Sequence, residues 1–371
     1  MFRNYRLRDY DFKLIIMILA LAGIGVMAIG SAEPSLQTKQ LFGVISGAVI
    51  MIVLSFFNYS MLLKLNWLMY VANIALLVLV IFSSAGDDAG GAQRWLEIGG
   101  LRFQPSETAK ILLILFFAQF IMKYKDKLNS FKIIASCLVL AVVPWFLIYK
   151  QPDLSTSMVF IMVFCVIMFA GGISYKLVFG VLAMVIPAVA ILIALALQPE
   201  NSILEGYQRD RILAFIYPEE YANEEAYQQL NSIMAIGSGQ LDGKGYKNNE
   251  ITSVKNGNFI SEAQTDFIFA VIGEEFGFKG CVLVVGLLFG IALECISIAR
   301  RAKDTAGTII AASMGGLVAF QGFFNMGVAT FILPNTGLPL PFVSYGLTSL
   351  WSLFIGMGIV LNVRLQAKRN Q

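Results

Sequence analysis

No histidine occurs among the 371 residues of this chain, so imidazole bases, Ser-His-Asp triads and histidine-ligated metals are excluded. Any acid or base must be a carboxylate, a lysine, a tyrosine or a cysteine. The four cysteines, Cys137, Cys165, Cys281 and Cys295, all fall inside apolar runs, with neither metal-ligand spacing nor an extracellular pair. They read as small buried hydrophobes. That leaves a short set of ionisable side chains at the margins of long apolar stretches, where a charge is costly and therefore a candidate for function.

Glu107 and Lys110 stand three apart, directly after Gln104-Pro105-Ser106. The proline opens a helix and the spacing puts both side chains on one face. They form either a structural ion pair or a phosphate site, with Lys110 supplying a point charge and Glu107 positioning it. Asp266 opens a later apolar run, within Ser261-Glu262-Ala263-Gln264-Thr265-Asp266-Phe267. It is either a helix-start residue favoured by the dipole or a general base at the membrane surface. A helix N-terminus lowers a carboxylate's pKa, so the basic role calls for burial or a neighbouring anion. The third group is cationic: Arg94 beside Trp95, and Arg209 with Arg211 in Tyr207-Gln208-Arg209-Asp210-Arg211. Guanidinium forks match phosphate oxygens, and they equally suit lipid headgroups or loop salt bridges. The segment Asn335 to Pro341 is a rigid, turn-rich breaker before the last apolar run.

The elements that must hold these residues follow from composition. The chain is 57% hydrophobic and only 14% charged, against the roughly 25% charged of soluble domains. Repeated apolar runs of membrane-crossing length predict an all-α polytopic membrane protein with ten spans. These are 13–31, 41–57, 61–83, 106–122, 133–149, 154–170, 176–197, 266–299, 308–331 and 342–363. Lys64, Lys123, Lys125, Lys127, Lys132, Lys176, Arg300, Arg301, Lys303, Arg364, Lys368 and Arg369 fall on the side of the N-terminus, so that side is read as cytoplasmic. The basic residues serve topology and make no nucleic-acid-binding stripe.

The opposite side carries the loops at 84–105, 151–153, 334–341 and 198–265, the last being the large extracellular loop between the seventh and eighth spans. Tyr227, Leu230, Ile233, Met234 and Ile236 recur there at helical spacing and predict an amphipathic helix on the outer membrane face. The run 266–299 would measure about 51 Å as one straight helix, too long for the hydrocarbon core. Either its first turns project outside, or it breaks near Gly273, Gly277 or Gly280 with Glu274, Glu275 and Lys279 lining a hydrated cavity. No internal repeat or low-complexity linker divides the chain, so residues 1–371 read as one integral membrane domain.

An ordered set of motifs resembles the SEDS family (shape, elongation, division and sporulation), the RodA/FtsW/SpoVE group of peptidoglycan glycosyltransferases. It comprises Gly91-Ala92-Gln93-Arg94-Trp95, Gln104-Pro105-Ser106-Glu107 with Lys110, and Gln151-Pro152-Asp153-Leu154-Ser155-Thr156. It continues with Tyr207, Arg209 and Arg211, Ala235-Ile236-Gly237-Ser238-Gly239, Gly243-Lys244-Gly245, and Thr265-Asp266-Phe267 with Gly273-Glu274-Glu275. Asn325, Gly327, Thr336-Gly337-Leu338-Pro339-Leu340-Pro341 and Ser344-Tyr345-Gly346 complete it. Gln264 departs from the family's usual histidine, and Leu347 from a usual glycine.

The resemblance implies that the substrate is lipid II, polymerised on the outer face of the cytoplasmic membrane with both termini inside. It implies Asp266 as the base on the acceptor GlcNAc 4-hydroxyl. It places Arg94, Lys110, Arg209 and Arg211 on the pyrophosphate, and Glu107, Asp153 and Glu274 in the same substrate-binding set. A divalent cation, Mg2+ or Mn2+, could share the leaving-group role, although the sequence offers no recognisable ligand set. The partners implied are a class B penicillin-binding protein and membrane lipids. A lipid II translocator and a non-enzymatic scaffold are the competing functions, and no motif separates elongation from division or sporulation.

Overall fold

The computed structural model describes residues 10–82, 94–98, 101–151, 153–180, 183–184, 187, 206–222, 226–247, 260 and 263–367. Among them are twelve α-helices, which carry nearly all of the regular structure. The spanning set is α1 (Phe12–Ala32), α2 (Pro34–Ser55), a short α3 (Tyr59–Leu63), α4 (Asn66–Phe82), α5 (Pro105–Lys123), α6 (Phe131–Lys150) and α7 (Leu154–Ala170). Two loop helices follow, α8 (Gly206–Ile216) and α9 (Tyr227–Ser238), and then α10 (Ile268–Arg301), α11 (Thr305–Ala329) and α12 (Leu347–Leu365). Seven helices are long and apolar enough to cross a membrane, and α4 and α7 are shorter apolar helices. Nine of the ten expected spans therefore have a helix. The seventh, 176–197, lies mostly outside the described residues.

Sequence explains where the helices begin. Pro34 and Pro105 sit in the first turns of α2 and α5, where a missing N–H costs nothing. Asp11, Asp153 and Asp304 cap α1, α7 and α11, each accepting from a first-turn amide at 3.1, 3.0 and 2.8 Å. Burial separates an inner from an outer set. The spanning window of α5 is 78% buried and that of α12 is 72%, against 22% for α6 and 28% for α2. The inner helices α5, α11 and α12 therefore position whatever the molecule does, while α2 and α6 turn broad apolar faces outward. α10 packs along α11, and α11 against α7 and α5.

The expected break in the long helix falls at Gly277, whose φ of 63° and ψ of −160° are non-helical. The segment after α9 fills it. Lys244 N and Gly245 N donate to Glu274 O and Glu275 O at 2.9 and 3.1 Å, and Phe278 N and Lys279 N donate to Gln240 O and Leu241 O at 2.8 and 3.3 Å. The backbone groups freed by the kink are thus satisfied by the loop. Glu274 and Glu275 are buried, as a broken helix requires. Lys279 instead stands exposed and pairs with Asp242, because the turn at Gly277 rotates it out of the protein.

The helix expected around residues 227–236 forms, yet its buried side is polar. Gln229 Nε2 donates to Val328 O and Leu333 O at 3.0 and 2.9 Å, and Ser232 Oγ to Ala329 O at 2.7 Å. These bonds cap the end of α11, so the polar stripe faces protein while Ile233 and Met234 point away. Two elements were not foreseen in the loops: α8, and a hairpin of β1 (Leu96–Ile98) and β2 (Leu101–Phe103) with Glu97 opposite Arg102.

Candidate active site

Asp266 precedes α10 in a turn, one residue outside the cap position, Phe267, and is half-buried. Its main chain is pinned. Three successive carbonyls accept from three donors: Gln264 O from Tyr345 N at 2.9 Å, Thr265 O from Ser344 Oγ at 2.5 Å, and Asp266 O from Asn325 Nδ2 at 2.7 Å. Ser344 Oγ also accepts from Leu340 N at 2.7 Å, and Asn325 Nδ2 also donates to Leu338 O at 2.7 Å. The Thr336–Tyr345 segment, which includes most of the helix-breaking run Asn335–Pro341, is thus the bed on which the carboxylate rests. Gly337 is exposed at φ +70°, and a Cβ there would sit 3.2 Å from Asp266 Oδ2. The missing side chain leaves that oxygen reachable.

The Glu107–Lys110 pair reaches the same bed from the inner helix α5. Lys110 is 1% exposed and Glu107 is 3% exposed, with Lys110 Nζ donating to Glu107 Oε1 at 2.7 Å. Lys110 Nζ also donates to Gln321 Oε1 at 3.3 Å, and Gln321 Nε2 donates to Pro339 O at 3.1 Å. At that burial Lys110 acts as a fixed positive charge inside the bundle, held by desolvated partners.

Asp153 joins through the first turn of α5: Gln104 Nε2 and Ser106 Oγ both donate to its Oδ2 at 3.4 Å. Within the first turn of α7, Ser155 Oγ donates to Thr336 O. Arg94 Nε donates to Gln151 O at 3.2 Å, which ties the hairpin loop to the same corner. Arg211 is half-buried on α8, and that helix meets the end of α11 through the Phe215 and Phe331 rings, 5.6 Å apart. The side chain of Arg209 lies outside the described residues. Glu274 is buried and salt-bridged to Lys244 at 3.0 Å, which ties it to the strap across the kink.

Among the described residues, Asp153, Glu107, Lys110 and Asp266 are therefore joined by hydrogen-bonded steps through one turn. No three Asp, Glu or Cys side chains gather as a metal-ligand set among the described residues. Sequence reasoning gave no role to Gln321, Asn325, Ser344, Ser155 or Lys244. For Gln321 and Asn325 the signal was present: two amides four residues apart within an apolar span.

Comparison with known proteins places this geometry in a lineage. The family model for cell cycle proteins of the FtsW, RodA and SpoVE type matches residues 11–369. The peptidoglycan glycosyltransferase MrdB of Escherichia coli K12 is 33% identical over 363 residues, covering 96% of this chain and 94% of that protein. A chain from a structure on the coordination of polymerization and crosslinking by a peptidoglycan synthase complex superposes with a TM-score of 0.77 at 28% identity, over 96% of this chain and 97% of that one. The rod shape determining protein RodA of Thermus thermophilus gives 0.70 at 26% identity, over 97% and 98%. With the match running almost from end to end, the chain belongs to the FtsW, RodA and SpoVE family.

Proposed function

We propose that this membrane protein polymerises lipid II into glycan strands, with Asp266 as the general base. The observation that carries the reading is a half-buried carboxylate held on three main-chain hydrogen bonds at the loop-bearing end of a membrane bundle, with the side chain of a glycine missing from its open side. The names of the relatives support the reaction class.

In the reaction the acceptor's GlcNAc O4 bonds to the donor's anomeric carbon from the face opposite the leaving group. The bond from that carbon to the phosphate oxygen breaks, and the diphosphate departs with the electron pair. Asp266 takes the O4 proton, and a positioned base of this kind contributes about 10²–10⁴ in rate. Negative charge grows on the diphosphate, so fixed cations lower the barrier. Arg94 and Arg211 are half-exposed and suited to direct contact, whereas the buried Lys110 acts through its field; Arg209 is proposed for the same role on its residue type alone. Among the described residues no set of three acidic or cysteine side chains makes a cation site.

The active end carries the hairpin loop, α8, α9 and the Thr336–Tyr345 bed, while the lysine-rich ends lie opposite, which supports an external site with both termini in the cytoplasm. A class B penicillin-binding protein is the proposed partner, and residues 1–371 act as one domain. The test is glycan synthesis from purified lipid II in detergent by the full chain with its transpeptidase. The wild type makes polymer and Asp266→Asn slows at least about 10²-fold. Wild-type rates from Asp266→Asn overturn the assignment, and transfer of intact lipid II across liposomes without polymer supports a translocator instead.

A further inference from the structure

The buried cation and the reacting carboxylate come from different helices, α5 and the start of α10, and no hydrogen bond joins them directly in the geometry above. Both are joined through α11. Gln321 and Asn325 are four residues apart, hence on one face of that helix, and they are 0% and 1% exposed. Gln321 accepts from Lys110 Nζ and donates to Pro339 O, at 3.3 and 3.1 Å. Asn325 donates to Leu338 O and to Asp266 O, both at 2.7 Å.

The amide orientations are dictated by their partners. An ammonium only donates, so Gln321 must turn Oε1 toward Lys110, and two carbonyls only accept, so Asn325 must turn Nδ2 toward both. Successive carbonyls of the bed, Leu338 and Pro339, are therefore read by successive rungs of α11. An apolar side chain of similar size could fill either space but could satisfy none of these groups, which are costly when buried unpaired.

We propose that Gln321 and Asn325 are positioning residues that set the separation between the Lys110 charge and the Asp266 carboxylate, a role that rests on the reading of Asp266 as the base. Proton removal at O4 and charge relief at the diphosphate occur in one transition state, so the two groups must be spaced for both ends of the reacting bond. A misplacement of about 1 Å costs about 10² in rate. The ladder fixes that spacing before substrate arrives.

The experiment uses the full chain with its transpeptidase partner and lipid II, comparing wild type, Gln321→Glu, Gln321→Met, Asn325→Ser and Asp266→Asn. Gln321→Glu keeps an acceptor for Lys110 and loses the donor to Pro339 O. The expected result is a kcat lowered about 10- to 100-fold with KM within about threefold. A double-mutant cycle of Gln321→Met with Lys110→Arg should be non-additive, because both act through one position. If Gln321→Met does not fold, the cycle is run with Gln321→Glu.

Wild-type kcat in monodisperse Gln321→Glu and Asn325→Ser, a raised KM at constant kcat, or effects that multiply in the cycle would overturn the proposal. Asp266→Asn separates this failure from that of the proposed function. If Asp266→Asn is inactive while the ladder variants are normal, the base survives and the ladder falls. If Asp266→Asn is active, the reading of the base itself falls.

Discussion

A single hydrogen atom in place of a methyl group decides access to Asp266. Gly337 combines a left-handed φ of +70° with a virtual Cβ 3.2 Å from the carboxylate oxygen. Gly337→Ala thus imposes roughly 1–2 kcal/mol of backbone strain and crowds the Asp266 carboxylate at once. Polymerisation by this variant should fall well beyond what its thermal stability loses, measured as turnover against unfolding midpoint. The buried pair is a different kind of residue. Lys110→Met leaves Glu107 uncompensated at 3% exposure, and loss of one partner of such a pair costs about 3–5 kcal/mol. A lowered unfolding midpoint is expected for Lys110→Met, with a smaller loss when Glu107→Gln is added. Asp266, Glu107 and Lys110 were legible in the sequence because charge beside an apolar run is conspicuous. Gln321 and Asn325 carried a signal as two amides in an apolar span, but their roles were not legible, since their partners lie 13 to 211 residues away along the chain.

Nine of the ten spans were legible for the same reason, as apolar runs of the right length, and the length of the run 266–299 called for either projecting first turns or a break near Gly273, Gly277 or Gly280. What strings of hydrophobicity could not give was orientation. α9 forms where an amphipathic helix was expected, with Ile233 and Met234 exposed, while its inward side is set by Gln229 and Ser232, which donate to the last carbonyls of α11. The strap through the kink depends on Gly277, where φ and ψ belong to a region almost restricted to glycine. A Cβ on Gly277 would also collide with the amide nitrogen of Gly243. Gly277→Ala should therefore cost at least about 1–3 kcal/mol and lower the unfolding midpoint. Gly172→Ala, with open space at its Cβ, isolates the backbone penalty for comparison.

At the scale of the molecule the bundle is a polar corner carried on an apolar support. Its inner helices are buried by protein, its outer ones by surroundings that must be apolar too, given Phe82 at 82% and Phe131 at 85% exposure. Asp126→Cys and Gln240→Cys, both at exposed positions on opposite ends, should react with an impermeant thiol reagent from opposite faces of sealed vesicles. Labelling of both from one face contradicts the topology. Severing α10 at Gly277 leaves its first two turns registered by main-chain bonds to residues 240–245 rather than to the remainder of the helix. The strap and that short piece share main-chain bonds, so amide exchange over 268–276 should rise and fall with that of 240–245.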